Sequence, residues 1–278
     1  MQVEALLESN LSLPLFKRGK VRDVYDLGSK LLIVSTDRIS AFDVVLSNGI
    51  PSKGEALNRL AVYWFKETRD VVPNHILDVV DQRSVLVQKT TPIKIEFVVR
   101  GYLYGSLWKR YVNGEAADFP SDLRMAERLP DPVLTPTTKA EVGHDIDIER
   151  KKMVSIVGKA VAEEIEEACL KIYEGASKKA EANGIIIADT KLEFGLLNDN
   201  ELILIDELLT PDSSRFWPVE KYRIGERQFS FDKQYVRDYL ETLRWNKQPP
   251  APALPEHIVL ETSKKYIEAY ERLTGRRF

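Results

Sequence analysis

The order of elements along the chain predicts an α+β fold in two lobes, a β-rich N-terminal lobe followed by a mixed α/β C-terminal lobe, with a cleft between them. Three observations carry that expectation. Strand-type runs separated by turn residues fill most of the first hundred residues. A long helical pattern over residues 148–182, then two more near the C-terminus, frame a pair of apolar runs. With 278 residues, 44% of them apolar, the chain can bury a large core. The lobes are expected to comprise residues 1–92 and 93–278.

Taken in order, residues 21–27 and 31–35 flank the turn Gly28-Ser29-Lys30 and read as a hairpin. Residues 54–68 place Leu57, Leu60, Ala61, Trp64 and Phe65 at helical spacing. Residues 84–89 and 93–102 read as strands linked by Thr90-Thr91-Pro92, and residues 105–112 as a short helix with Leu107, Trp108 and Tyr111 as its apolar contacts. From 113 to 147 the pattern breaks into Pro, Asp and Thr, which predicts a long functional loop. The helical stretch 148–182 has Asp147 as its expected N-cap, Gly184 near its C-cap, and Gly158 as a kink or break. Ile185-Ile186-Ile187-Ala188 and Leu202-Ile203-Leu204-Ile205 read as buried strands. Helices follow near 232–244 and 255–274, separated by Pro249-Pro250-Ala251-Pro252.

Composition excludes several functions. A formal charge of −3 argues against a generic nucleic-acid or anionic-membrane binder, so any phosphate binding must be local. Cys169 is the only cysteine, and His75, His144 and His257 lack metal-ligand spacing. No signal segment precedes Glu4 and Glu8, and no run is long and apolar enough to span a bilayer. A cytoplasmic protein is expected. Neither GxxxxGK[ST] nor GxGxxG occurs.

The stretch Asp189-Thr190-Lys191-Leu192-Glu193-Phe194-Gly195 carries the sharpest chemical signal. In a strand Asp189, Lys191 and Glu193 share one face, and Leu192 and Phe194 take the other. A two-residue loop at Asp199-Asn200 would set Asn198 opposite Glu201 and Glu193 opposite Asp206. Carboxylates about 4.5–5.5 Å apart at Cβ repel unless a divalent cation lies between them. One or two carboxylates completed by substrate phosphates is the usual seat of Mg²⁺, with Lys191 within reach of a phosphate oxygen. The alternative is a solvated hairpin or a structural Lys–Glu pair.

Three other clusters suit phosphate. Gly19, Lys20 and Arg22 open a strand with both cations on one face, although a solvated edge strand has the same pattern. Arg100 ends an apolar strand just before Gly105-Ser106 begins a helix, a good monophosphate seat unless Arg100 simply pairs with Glu96. Asp212-Ser213-Ser214-Arg215 follows the carboxylate hairpin, as a ligand turn or as a plain one. Together these clusters point to a nucleotide-using enzyme.

The chain resembles the phosphoribosylaminoimidazole-succinocarboxamide synthase (SAICAR synthetase) family over nearly its whole length. One family signature, apolar-Asp-x-Lys-apolar-Glu-Phe-Gly, is met in full by residues 188–195. A second, Pro-apolar-Glu-x-apolar-apolar-Arg-x-x-x-Thr/Ala-Gly-Ser, is met by Glu96, Arg100, Gly105 and Ser106, with Lys94 in place of the proline and Tyr104 in place of a small residue. The residues 19–22, 35–43, 137–139 with His144-Asp145, and 211–217 are similar as well.

The resemblance implies a SAICAR synthase-like fold with a kinase-like ATP cleft. It also implies an ATP-dependent ligase that joins carboxyaminoimidazole ribonucleotide (CAIR) to L-aspartate through an acyl phosphate, giving SAICAR, ADP and phosphate. By similarity Glu193 and Asp206 bear Mg²⁺ and act in catalysis with Lys191. Lys20, Arg22, Lys191 and Asp206 meet ATP, with Lys89 at the adenine hinge of residues 88–91. Arg100, Ser106 and Arg215 hold the ribonucleotide 5′-phosphate, with Asp212 nearby on its ribose or amine and Ser214 also binding substrate. Arg38, Ser40 and Asp43 position the reacting carboxylate or the aspartate, over which a loop with Thr138 and Lys139 closes. The partners implied are small molecules, and homo-oligomers occur among similar proteins. A kinase-like phosphotransferase is the first alternative, but neither an HRD-type loop nor DFG is present; a non-catalytic nucleotide-binding module is the second.

Overall fold

The computed structural model describes residues 4–116, 119–138, 146–198, 201–231 and 233–278. Strands β1 (Leu15–Arg18), β2 (Arg22–Asp26) and β3 (Lys30–Ser35) come first. They are followed by a short hairpin, β4 (Ser40–Ala41) with β5 (Val44–Val45), then helix α1 (Lys53–Glu67), β6 (Ile76–Val79) and β7 (Ser84–Gln88). Five of these strands form an antiparallel sheet in the order β1-β2-β3-β7-β6. Alternation along β2 buries Asp23 and Tyr25 on one side and turns Arg22 and Val24 to the other. The buried Asp23 carboxylate accepts hydrogen bonds from the Ser9 amide and from Arg38, each at 2.8 Å.

The chain continues through β8 (Thr91–Tyr102), α2 (Gly105–Val112), β9 (Arg128–Thr138), α3 (Arg150–Val157) and α4 (Lys159–Ala182). It then runs through β10 (Ile185–Leu197), β11 (Glu201–Ile205), β12 (Ser214–Pro218), α5 (Gln234–Glu241) and α6 (Glu256–Thr274). The second sheet has the order β11-β10-β8-β9. β10 is its centre: β8 runs along one edge, while β12 and β11 share the other, pairing with its first and second halves. The apolar face of α4 (Ile165, Cys169, Ile172, Ala176) packs on Ile95, Phe97, Val99, Ile187 and Phe194. Phe97 and Phe194 meet edge to face at 5.5 Å, and each such burial stabilises by roughly 1.5–3 kcal/mol. Leu60, Trp64 and Phe65 of α1 enter the same core, so the helix that follows the first sheet is anchored in the second.

Main-chain hydrogen bonds also join the two sheets. His75 N–H donates to Leu204 O (3.0 Å) and Leu204 N–H to Pro73 O (2.8 Å), while within the first sheet Gln88 N–H donates to His75 O (2.7 Å).

The structure corrects the sequence reading in two places here. The stretch 113–147 is not one long loop, because it contains the eleven-residue β9. Its prolines hid it, and the sheet tolerates them because β9 is an edge strand. Pro136 turns its backbone outward, where its carbonyl accepts Ile148 N–H at 2.9 Å. Pro130 and Pro132 fall where the ladder with β8 loses register, between the pairs at Arg100 and Tyr102. Asp147 is also not a helix cap: it pairs with Arg110 at 2.5 Å, and Glu149 holds the N-cap position of α3. Gly158, at φ +83°, divides α3 from α4.

Candidate active site

A cavity of about 610 Å³ lies between the two sheets. The first sheet contributes Gly19, Lys20, Arg22, Val24 and Ile33; the β4–β5 hairpin contributes Ser40 and Asp43. The second sheet contributes Glu96, Lys191 and Glu193, followed by Asp206, Glu207 and Asp212.

The hairpin register differs by one from the expected one. Leu197 pairs with Glu201 and Glu193 with Ile205, so three residues (198–200), not two, connect the strands. Asn198 absorbs part of the turn at φ +50°, and residues 199–200 lie outside the described set. Glu193 therefore faces Glu96 on β8 rather than Asp206. Asp206 is one residue beyond β11, at φ +69°, and the left-handed backbone turns it out of the strand. Its carboxylate is met by Arg22 at 2.7 Å, reaching across from the first sheet. Both Glu193 and Asp206 line the cavity, but from successive corners rather than as an opposed pair.

Lys191 Nζ lies 2.8 Å from Glu96 and 3.7 Å from Glu193. Burial opposes the charge of Arg22 and Lys191, yet the carboxylates prevail. Asp206, Glu207 and Glu193 raise Arg22 above its ordinary pKa, while Glu96, Glu193 and Asp206 do the same for Lys191. Around the cavity Asp43, Glu96, Glu193, Asp206, Glu207 and Asp212 are interleaved with Lys17, Lys20, Arg22, Lys191, Lys233 and Arg237. Burial, together with Asp212 and Asp206, pushes the Glu207 carboxyl upward despite Arg22. Beneath the cluster, burial pulls His75 down to about 4, so its imidazole is neutral near pH 7. Glu193 and Asp206 bring to this cavity hard oxygen donors of the kind a divalent metal takes. Among the described residues no three His, Cys, Asp or Glu form a metal cage on their own.

A second charged cluster, two arginines around one carboxylate, lies further back along β10. Asp189 pairs in register with Arg215 on β12 and Arg100 on β8, and its carboxylate contacts both guanidinium groups. Gly105 closes over Arg215: a Cβ there would lie 2.8 Å from Nη2, and its φ of +61° also disfavours a side chain. This brings the start of α2, with exposed Ser106, beside the two arginines. Tyr104, the departure from the family pattern, stacks edge-on against Trp217 (5.0 Å) with the Arg215 guanidinium 5.8 Å from its ring centre. Lys94, the other departure, is exposed on β8.

Asp212 is held from behind. Lys53 (2.8 Å), Lys233 (3.0 Å) and the Tyr266 hydroxyl (2.6 Å) all reach its carboxylate. Burial alone would raise its pKa, but Lys233 and Lys53 keep it well below the usual carboxylate range. Burial in turn pulls Lys53 down.

Several expected site residues are placed elsewhere. Arg38 is turned into the fold, donating to Gly19 O and Lys20 O, to Leu7 O and to Asp23, so it braces the glycine loop and does not line the cavity. Lys89 pairs with Asp26 at 2.8 Å, away from the carboxylate cluster. The buried Ser214 hydroxyl is bonded to Thr190 (2.8 Å), and Thr138 ends β9 with its hydroxyl 3.4 Å from Ile146 O. Lys139 lies outside the described residues. Lys20 lines the cavity and pairs with Asp43 at 2.5 Å. Sequence reasoning missed Lys53, Lys233, Tyr266 and His75. Lys53 and Asp212 are 159 residues apart, and no local pattern signals such a pairing.

A cavity that gathers carboxylates around Arg22 and Lys191, with a separate arginine seat on the same strand, defines a class: an enzyme for phosphate-bearing substrates. Comparison with known proteins then identifies the family. The SAICAR synthetase family model matches residues 15–252. The phosphoribosylaminoimidazole-succinocarboxamide synthase of Geotalea uraniireducens (strain Rf4) is 51% identical over 283 residues, spanning 95% of each chain. The structure of SAICAR synthase from Saccharomyces cerevisiae complexed with SAICAR is 40% identical and covers 98% of this chain and 99% of its own, with a TM-score of 0.90. A SAICAR synthetase in complex with ADP is 27% identical at a TM-score of 0.74, covering 94% and 98%. The chain belongs to the SAICAR synthetase family.

Proposed function

We propose that this chain is an ATP-dependent ligase of purine biosynthesis that joins CAIR and L-aspartate into SAICAR, releasing ADP and phosphate. Beyond the family match, the observation that supports the reading most is the layout of β10. Asp189, with its two arginines, and Glu193, among the carboxylates, are four residues apart. That is about 13 Å along an extended strand, a span of the order of a ribonucleotide. A 5′-phosphate held by Arg100, Ser106 and Arg215 would direct the substrate's carboxylate toward Lys191 and Glu193.

A carboxylate is a poor electrophile and is activated most simply as an acyl phosphate, which the aspartate amine then displaces. Phosphoryl transfer of this kind depends on positioning and charge neutralisation more than on a protein nucleophile. Lys20, Arg22 and Lys191 are the candidates to hold the ATP phosphates, with Arg22 and Lys191 exchanging part of their carboxylate contact for phosphate oxygen. Glu193 and Asp206 would hold Mg²⁺, since both line the cavity and their donors are hard carboxylate oxygens. The ion would offset the charge of the transferring phosphoryl group. Adenine is assigned to the backbone of residues 88–91 beside Lys89, where β7 ends and β8 begins. That break, between sheets ending at Gln88 and opening at Thr91, also supports a lobe boundary near residue 92. Arg38 would act by bracing Gly19 and Lys20, and Ser214 through Thr190. Among the described residues no helix is long and apolar enough to cross a membrane, and a reducing cytoplasm fits the buried free Cys169.

The test is ADP release in the presence of ATP. It should require both the ribonucleotide and aspartate; release without either, or none with both, overturns the ligase reading. Arg215→Ala should raise the KM for the ribonucleotide by about 10- to 100-fold, the loss of a charge-assisted contact. An effect confined to the KM for ATP would show the seat to be misassigned.

A further inference from the structure

At Tyr104 the chain carries a ring where the family signature has a small residue. Tyr104 holds the N-cap position of α2 in extended backbone, two residues before exposed Ser106. Its half-buried ring is fixed by its neighbours. Trp217 meets it edge to face at 5.0 Å, it packs on the cluster of Tyr102, Ile186 and Trp217, and its hydroxyl accepts from Gln228 N–H at 3.4 Å. The Arg215 guanidinium lies over the ring, 5.8 Å from its centre.

Arg215 has reason to need such support. It shares the single carboxylate of Asp189 with Arg100, while the neighbouring Arg110 and Asp147 pair with each other at 2.5 Å. Among the described residues, two guanidinium groups on one carboxylate leave this cluster with positive charge in excess, and like charges repel. A second carboxylate would hold Arg215 in place but cancel the excess. A ring face attracts a guanidinium through its quadrupole and neutralises nothing. Gly105 lies against the same guanidinium, since a Cβ there would fall 2.8 Å from Nη2, 3.0 Å from Cζ and 3.1 Å from Nη1. Two consecutive residues thus restrict one side chain.

We propose that Tyr104 is a positioning residue of the ribonucleotide site, its ring aiming the Arg215 guanidinium at the 5′-phosphate while leaving the positive charge available to it. The inference rests on the ligase reading and adds to it a residue outside the family signature.

Two variants separate the ring from its packing. Tyr104→Leu keeps apolar bulk without a ring face, and Tyr104→Phe keeps the face without the hydroxyl. In the leucine variant the KM for the ribonucleotide should rise about fivefold, while kcat and the KM values for ATP and aspartate change by less than about twofold. The phenylalanine variant should retain most of the affinity. Calorimetric titration with ribose 5-phosphate, which needs no turnover, should give the same order. A folded leucine variant with unchanged ribonucleotide KM, a phenylalanine variant as weak as leucine, or all three KM values rising together overturns the proposal. If the leucine variant does not fold, Tyr104→Thr carries the same comparison. Wild type that binds ribose 5-phosphate no better than Arg215→Ala would overturn the phosphate seat itself, and this proposal with it; a seat that needs Arg215 but ignores Tyr104 overturns the proposal alone.

Discussion

Glu193→Gln and Asp206→Asn should each lower kcat by at least about 100-fold while the far-ultraviolet circular dichroism and thermal midpoint stay close to those of the wild type. Each substitution keeps the shape of the side chain and removes one charge. Glu193 is paired in register with Glu96 and lies 3.7 Å from Lys191, so removing its charge relieves a carboxylate repulsion and the fold has little to lose. Asp206→Asn gives up the 2.7 Å ion pair with Arg22 but keeps an oxygen for its hydrogen bond. The two should also differ in metal dependence, each needing more Mg²⁺ for half-maximal residual activity. Full turnover in both variants at limiting Mg²⁺ would remove the metal role from this pair.

Asp212→Asn should cost about 3–5 kcal/mol of stability, the usual consequence of stranding a buried charge. Asp212 is the partner of both Lys53, whose side chain is fully buried, and Lys233. Without it two ammonium groups face one another under the cavity. Because burial already holds the folded-state pKa of Lys53 below its ordinary 10.5, the unfolded chain binds the extra proton as pH falls. The deficit should therefore shrink as pH rises toward 10.5. Adding Lys53→Met to Asp212→Asn should recover part of the loss. Urea unfolding from pH 7 to 10 checks this, and a cost under about 1 kcal/mol at pH 7 would mean the cluster is more hydrated than its burial indicates.

Much of this was legible in the sequence because it depends on local pattern. The short helix at residues 105–112 coincides with α2, and residues 255–274 with α6 to within one residue, since apolar spacing and flanking turn residues specify both. β9 was not legible, because prolines are read as breakers and only its edge position makes them harmless. The carboxylates and arginines of the site were found from residue type and spacing, but their partners were not. A one-residue difference in loop length moved Asp206 from opposite Glu193 to the corner beyond Ile205. Arg38 looks the same in sequence whether it faces a substrate or braces a loop, and only the position of Gly19, Lys20 and Asp23 decides.

The hydrogen bonds of Leu204 with Pro73 and His75 tie the two sheets together at one end of the cavity. Separating the sheets at that end would expose main-chain donors and acceptors together, each costing about 1–3 kcal/mol if left unpaired. At the opposite rim, Lys20 and Asp43 are joined by an ion pair of two half-exposed side chains, and such contacts contribute about 0–1 kcal/mol. The two sheets are therefore expected to part more readily beside Lys20 and Asp43 than beside Leu204, which should hold Asp206, two residues beyond Leu204, at a fixed depth.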